Sequence, residues 1–341
     1  MPALPRRRLL AATLGGLMLS GLAPGPAHVD AAEAAVPEGA PPSQAPGFYR
    51  YRLGTFDITV VSDGMNRLAI PDGFVVNASR AEINAALGAA FMEPDVFLGP
   101  YNPIVVNTGT HRALIDTGNG ELAFRASRGA TGQLLANLAA AGIAPESIDT
   151  VILSHYHADH INGLLRADDS LAFPNARIIV PGPEHRYWMN DEAMRAAATP
   201  RIAAVFRNAR RVFRPEVLAR LQIREWGEEV IPGITAVATP GQTPGHTAHV
   251  VASGEQRLFV QADVTHAPYL FVRHPEWHPF YDHDPAQAEA TRREVYERLV
   301  RERWLVQGYH YPFPGLAHIE KAGSGYREVP AIWMPSVQPV R

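Results

Sequence analysis

Cysteine is absent from the 341-residue chain. No disulfide framework can staple the fold, and no thiolate can act as nucleophile. Stability must come from an apolar core and from any metal the chain holds. A Gly-x-Ser-x-Gly elbow is also missing, which removes the hydrolase-type serine. Positive charge is not in excess, with 31 Lys+Arg against 34 Asp+Glu and a net charge of −3, so the electrostatic footprint of a nucleic-acid binder is lacking. The one local basic stretch, 195–220, spaces its arginines at helical intervals among alanines, as a solvated helix face does. No internal repeat is evident. The apolar run at 9–22 is shorter than the roughly 20 residues that a membrane span needs.

That run has a different meaning. Arg6-Arg7-Arg8 precede it and Ala23-Pro24-Gly25-Pro26-Ala27 follow it, the order of a cleavable export signal over 1–27. Paired arginines ahead of Leu9-Leu10 suggest the twin-arginine route, with a Sec signal as the rival. That route carries folded proteins and would let metals be loaded before export. The expected product is periplasmic or secreted, with no stable membrane anchor. Residues 28–47, rich in Ala and Pro, read as a flexible leader, and 48–341 as a single domain. Its 46% hydrophobic and 19% charged residues are ordinary for a globular protein.

What is abundant is histidine, 14 in all, and its clustering carries the chemistry. Ser154-His155-Tyr156-His157-Ala158-Asp159-His160 packs three imidazoles and a carboxylate into one loop. The pattern His-x-His-x-Asp-His would arise by chance in about one chain in a thousand of this composition. Such ligands suit zinc, iron, manganese or nickel, and crowding them without an ion would cost repulsion and desolvation. Thr150-Val151-Ile152-Leu153, short and half β-branched, suits a buried strand leading into the loop. A helix over 160–165 is made marginal by Gly163.

One loop rarely completes a metal site, and three more strand-like runs end in ligand-type residues. The run 234–238 leads through a Pro/Gly-rich loop to His246, 258–262 stops at Asp263, and 304–309 stops at His310. Four strands thus deliver ligands to one edge of a sheet, where open α/β architectures place their sites. Asp116, ending the strand at 113–115, is expected to orient ligand imidazoles through hydrogen bonds, and Thr247 is a weaker candidate for the same role.

These motifs, in order from Leu114-Ile115-Asp116-Thr117-Gly118 through the 155–160 loop, Gly245-His246 and Asp263 to Gly308-Tyr309-His310, resemble the metallo-beta-lactamase superfamily over roughly 48–335. The resemblance implies an α/β, four-layer αββα sandwich with a dinuclear centre between its two sheets. One metal would be held by His155, His157 and His246, the other by Asp159, His160 and His310, with Asp263 bridging. Gln242 stands where the family often has His, at a position that is not a ligand. The implied cofactors are two divalent ions, Zn2+ first, with Fe, Mn, Co and Ni compatible. Two such cations sharing a water would supply hydroxide at neutral pH, with Asp159 and Asp263 as the carboxylates next to it.

Within the superfamily, Gly308 to Gly315, Gly325-Tyr326-Arg327, Val61-Ser62-Asp63-Gly64 and the 102–109 loop resemble the methyl parathion hydrolase-like exported hydrolases. The substrate expected is a small, neutral, partly apolar ester, with phosphotriesters and aryl esters ahead of N-acyl homoserine lactones. A beta-lactam or glutathione thioester is disfavoured, the latter for want of a further C-terminal domain. A non-catalytic periplasmic metal or ligand carrier is the alternative of another class. The aromatics Trp188, Phe206, Phe213, Phe271 and Trp277, together with His266, are expected to wall the substrate groove. A homodimer through the apolar 70–76 stretch is compatible with the sequence.

The remaining pattern predicts strands at 49–53 and 56–62 turning at Gly54, and a helix at 79–91 opened by a Ser79/Glu82 capping box. A hairpin pairs 104–107 with 113–115 around Gly109. A helix at 133–141 puts Leu134, Leu135 and Leu138 on one face, and Asp284-Pro285 opens a helix through 303.

Overall fold

Two seven-stranded sheets form the centre of the molecule. The computed structural model describes residues 44–339, so the expected export signal at 1–27 and most of the leader lie outside the described residues. Gly47, the last leader residue, donates its N–H to Asn137 Oδ1. Among the described residues no helix is long and apolar enough to cross a membrane.

The first sheet runs in the spatial order Phe48–Leu53, Phe56–Val61, Ile104–Asn107, Arg112–Ile115, Thr150–Ile152, Arg177–Pro181, Leu221–Arg224. Its first four strands pair antiparallel and its last three join in parallel. The second sheet orders Glu229–Ile231, Ile234–Ala238, Thr247–Ser253, Gln256–Ala262, Leu305–Gly308, Leu316–Ala322, Gly325–Pro330. Only Gln256–Ala262 and Leu305–Gly308 pair in parallel there, across the crossover helix Pro285–Glu302.

Side-chain alternation fixes the layers. Ile104, Val106, Ala113, Ile115 and Ile152 face the second sheet and pack with Ile234, Ala236, Val251, Leu258 and Val260. Their neighbours Val105, Leu114 and Val151 point the other way, under helices Leu134–Ala140 and Pro200–Val212. On the far side Val250, Phe259 and Val306 pack against Val295, Tyr296 and Leu299 of Pro285–Glu302. A period of two in a strand sends alternate residues to opposite faces, and both faces of both sheets are covered. The result is the four-layer αββα sandwich.

Local signals marked the starts of two helices. Arg80–Ala89 carries the complete Ser79/Glu82 capping box, and Asp284 accepts the Gln287 N–H at 3.0 Å to open Pro285–Glu302. The helix expected at 160–165 is instead one turn, Ala158–Ile161, followed by the 3-10 turn Asn162–Leu164. The reason lies in packing at Gly163, where a Cβ would stand 1.8 Å from the Thr117 carbonyl oxygen. The chain gives up helix there to lie against the Asp116 turn.

A satellite cluster corrects the expectation for two aromatics. Phe271 and Trp277 pack into it with Ile70, Phe74, Val75, Ile83 and Leu87, so they fill a small core and form no groove wall. The same packing uses the 70–76 stretch on its own chain. Ile70, Phe74 and Val75 are buried, while Pro71, Asp72, Gly73 and Val76 are exposed.

Candidate metal centre

Every expected ligand sits in the segment that follows a strand, with Asp159 and His160 in the one-turn helix Ala158–Ile161. His155 to His160 follow Thr150–Ile152, His246 lies between Ile234–Ala238 and Thr247–Ser253, Asp263 follows Gln256–Ala262, and His310 follows Leu305–Gly308. The hydrogen bond from Thr247 N–H to the Ser154 carbonyl, 3.1 Å, joins the edges of the two sheets at this point. Asp116 and Ala262, each at a strand end, adopt left-handed backbone with φ of 61° and 48°. For non-glycine residues that costs about 1–3 kcal/mol each and is tolerated where the surroundings over-determine it.

The side chains converge on Asp263. Its Oδ1 lies 3.2 Å from both His160 Nε2 and His310 Nε2, and its Oδ2 lies 3.6 Å from His155 Nε2 and 3.1 Å from His266 Nε2. Asp159 Oδ2 approaches His310 Nε2 at 3.4 Å and His160 Nε2 at 3.6 Å. His155 Nε2 is 3.1 Å from His157 Nδ1, and His246 Nε2 accepts the Asp263 N–H at 3.0 Å. Three triads, His155/His160/Asp263, Asp159/His160/His310 and Asp263/His266/His310, each bring ligand atoms within 4.8 Å of one another.

A test of fit for a cation comes from unsatisfied atoms. His160 Nε2, His310 Nε2 and Asp263 Oδ1 are buried without a hydrogen-bond partner, yet they face one another. Buried polar groups are ordinarily paired, and an orphan costs about 1–3 kcal/mol. Imidazole nitrogens and a carboxylate oxygen pointing into one spot are what a divalent metal requires. The donor set therefore fits a divalent metal.

The far sides of the imidazoles are held. Asp116 Oδ2 stands 2.8 Å from His160 Nδ1, and the same carboxylate accepts the Ser154 N–H and hydroxyl, each at 2.8 Å. His310 Nδ1 donates to the Pro100 carbonyl at 2.9 Å. His246 Nδ1 meets the Thr239 hydroxyl at 2.9 Å and the Thr239 carbonyl at 3.0 Å. Thr247, the candidate from sequence, makes no such contact; its hydroxyl bonds the Gly245 carbonyl and accepts from Trp226 Nε1. Such outer partners set the orientation and basicity of ligand imidazoles.

Burial and mutual repulsion shape the protonation of the cluster. Burial pushes His157 and His246 down to about 4, and burial with the neighbouring His160 lowers His155. Those rings are neutral, the form that binds metals. Burial also opposes a charge on His160, but Asp263, Asp116 and Asp159 outweigh it and raise that ring. Burial would likewise raise Asp263, yet His160 and His310 hold it well below the usual carboxylate range. A concentrated negative charge thus sits among the nitrogens.

Of the aromatics expected at the groove, Trp188, Phe206 and Phe213 lie in the core beneath the first sheet. Trp188 donates Nε1 to Glu184 at 2.7 Å, and Phe213 stacks on Tyr156 with ring centroids 4.2 Å apart. Their helices turn apolar faces to the sheet, because that is where the larger apolar area is buried. His266, by contrast, reaches the cluster and stacks on His310 at 4.5 Å. An apolar groove of about 1570 Å³ does open beside His310, but other residues line it, among them Met65, Phe91, Met92, Leu98, Tyr269, Phe313 and Trp333. No periodic signal in the sequence marks these scattered positions.

Two further polar residues take part in the site: Glu184, which the sequence did not single out, and Gln242, which it marked only as a non-ligand position. Gln242 brings its amide nitrogen to 2.6 Å from His157 Nδ1 and 3.2 Å from Asp263 Oδ2. Glu184, pushed up to about 7 by burial against four hydrogen bonds, accepts backbone donors from both the 155–160 and the 240–246 loops. A Glu in a helical segment carries no local mark of such a role.

A family model described as the metallo-beta-lactamase superfamily matches residues 96–302. Curated relatives include an N-acyl homoserine lactonase from Bacillus thuringiensis, 25% identical over 169 residues, or 48% of this chain and 56% of the relative. Another, from a Bacillus species, is 26% identical over 169 residues with the same coverage. The chain thus spans only 56% of the length of these curated relatives. Among solved structures, AidC, a dizinc quorum-quenching lactonase in complex with a product, superposes with a TM-score of 0.78 at 26% identity, covering 84% of this chain and 98% of that one. The hydrolase AbOPH, of the beta lactamase superfamily, gives 0.79 at 26% identity, covering 86% and 100%. With its two packed sheets, its cluster of strand-end ligands and a family model matched over more than half its length, this chain belongs to the metallo-beta-lactamase superfamily.

Proposed function

We propose that the protein is an exported, dinuclear zinc hydrolase that opens N-acyl lactones, small neutral ring esters with an apolar tail. The observation that carries this is the meeting of three partnerless buried ligand atoms, on His160, His310 and Asp263, with an apolar groove that includes His310 in its lining. His155, His157 and His246 would hold one ion and Asp159, His160 and His310 the other, with Asp263 between them. When bound, such cations supply Lewis acidity, lowering the pKa of water and polarising an ester carbonyl.

The chain's own residues do the rest. Asp263 and Asp159 balance the positive charge, and Asp116, Thr239 and the Pro100 carbonyl hold the imidazoles in place. Asp159 is the more open carboxylate, 23% exposed against 2% for Asp263, so it faces the side from which substrate arrives. His266 Nε2, 3.1 Å from Asp263, is set to hold a proton beside the reacting ester. The groove along Met65, Leu98 and Phe313 takes the acyl tail and excludes water from it. The lactonase relatives favour placing lactones ahead of the phosphotriesters that the sequence put first. The arginine-led N-terminal segment supports export.

The test is the ratio of kcat/KM for a long-chain N-acyl homoserine lactone to that for methyl paraoxon, on one zinc-loaded preparation of quantified metal content, with Asp263→Ala as the metal-deficient control. A lactone preference of several orders of magnitude supports the proposal. A phosphotriester preference would move the chain to the organophosphate branch. Zinc-replete protein that hydrolyses neither ester would favour the carrier.

A further inference from the structure

Glu184 has a side chain with no exposure, placed in the first turn of helix Gly182–Trp188, and its four hydrogen-bond partners are all neutral donors. Oε1 accepts the Tyr156 N–H at 2.8 Å and Trp188 Nε1 at 2.7 Å. Oε2 accepts the Thr243 hydroxyl at 2.8 Å and the Gly245 N–H at 2.9 Å. Tyr156 stands between His155 and His157, and Gly245 immediately precedes His246. One carboxylate therefore ties together the backbones that carry three of the expected ligands, one loop leaving the first sheet and the other belonging to the second.

The docking is close as well as polar. A Cβ on Gly245 would stand 2.0 Å from the Glu184 backbone nitrogen, so the His246 loop lies directly on the start of this helix. Burying a carboxylate costs several kcal/mol unless every lone pair is used, and core packing alone would be better served by an apolar residue. The return on that cost is orientation, since metal ligands must be held to within about 0.5 Å of their working geometry.

We propose that Glu184 is a positioning residue that locks the His155–His157 loop and the His246 loop into one register and thereby sets the affinity of the metal site they share. This rests on the metal-centre reading above. It touches neither substrate nor metal and acts only through the two loops. Glu184→Gln keeps the shape but turns an amide N–H toward either the Tyr156 or the Gly245 N–H, so one loop loses its acceptor.

The experiment measures zinc affinity by competition with a chromophoric chelator, on the wild-type mature protein and on Glu184→Gln, Thr243→Val and Trp188→Phe, with thermal midpoints alongside. Thr243→Val removes a tie to the His246 loop, whereas Trp188→Phe removes a bond within the carboxylate's own helix. The expected result is zinc binding weakened about 10–100-fold in Glu184→Gln and severalfold in Thr243→Val. Trp188→Phe should keep wild-type affinity despite a lower thermal midpoint. Folded Glu184→Gln with wild-type affinity would overturn the proposal. If Glu184→Gln does not fold, the other pair decides: equal affinities in Thr243→Val and Trp188→Phe overturn it, and selective weakening in Thr243→Val sustains it. Failure of the wild type itself to bind zinc would overturn the metal-centre reading and this inference together, and is read from a different sample.

Discussion

Asp116 and His160 are 44 residues apart in sequence, and Asp116 Oδ2 lies 2.8 Å from His160 Nδ1 with both side chains buried. The same carboxylate holds the Ser154 N–H, so it orients the ligand ring and the start of the ligand loop at once. An asparagine there would have to choose between accepting from Ser154 and accepting from His160. Asp116→Asn is therefore expected to fold and to lose about 10–100-fold in metal affinity, measured as zinc retained after dialysis against a graded chelator.

The groove makes a claim about substrate length. Leu98 and Met65 line its wall next to His310, and a larger side chain would shorten the space for an acyl tail. Leu98→Trp is expected to raise KM for a twelve-carbon acyl lactone by about 10-fold or more, on the scale of the transfer energy of a few methylenes, while leaving a four-carbon substrate near its wild-type kcat/KM. Equal losses on both substrates would place the tail elsewhere.

Phe206 is fully buried under the first sheet and touches Tyr187 and Trp188, with ring centroids 5.4 Å and 4.6 Å away. Phe206→Ala should cost about 3–5 kcal/mol of stability through the cavity it leaves. Its zinc-loaded form should retain the wild-type ratio of long-chain to short-chain kcat/KM. Denaturant unfolding and the two kinetic constants separate these effects.

His249 supplies a pH dependence away from the ligands. It sits in Thr247–Ser253, paired across strands with Ala236 and Val260, and burial pushes its imidazole down from 6.5 to about 4. Between those values the unfolded chain binds a proton that the folded one refuses, so stability is lost as pH falls through that window and is fully present above it. His249→Gln should flatten the fall by up to about 1.4 kcal/mol per pH unit, one proton's worth of slope, in denaturant titrations from pH 7 to pH 4. Parallel wild-type and variant curves would show that this ring does not titrate there.

The sequence by itself determined which residues come together at the strand ends. The His155 to His160 loop, His246, Asp263 and His310 were legible because ligand chemistry restricts residue type and short strands announce their ends. Local caps such as Ser79/Glu82 and Asp284 were legible for the same reason, each being a contact within four residues. Tertiary structure alone decided what surrounds the cluster. Trp188, Phe206, Phe213, Phe271 and Trp277 look equally suited to a groove or a core, and only the packing of helices on the first sheet and of the satellite cluster sent them inward. The groove went instead to Met65, Leu98 and Phe313, brought together from distant segments. Glu184 was invisible for the same reason, as was the contact of Gln242 with His157, because a hydrogen bond across 59 or 85 residues leaves no trace in local pattern. Apolar and polar character is written residue by residue, but which face of an element finds cover is a property of the assembled layers.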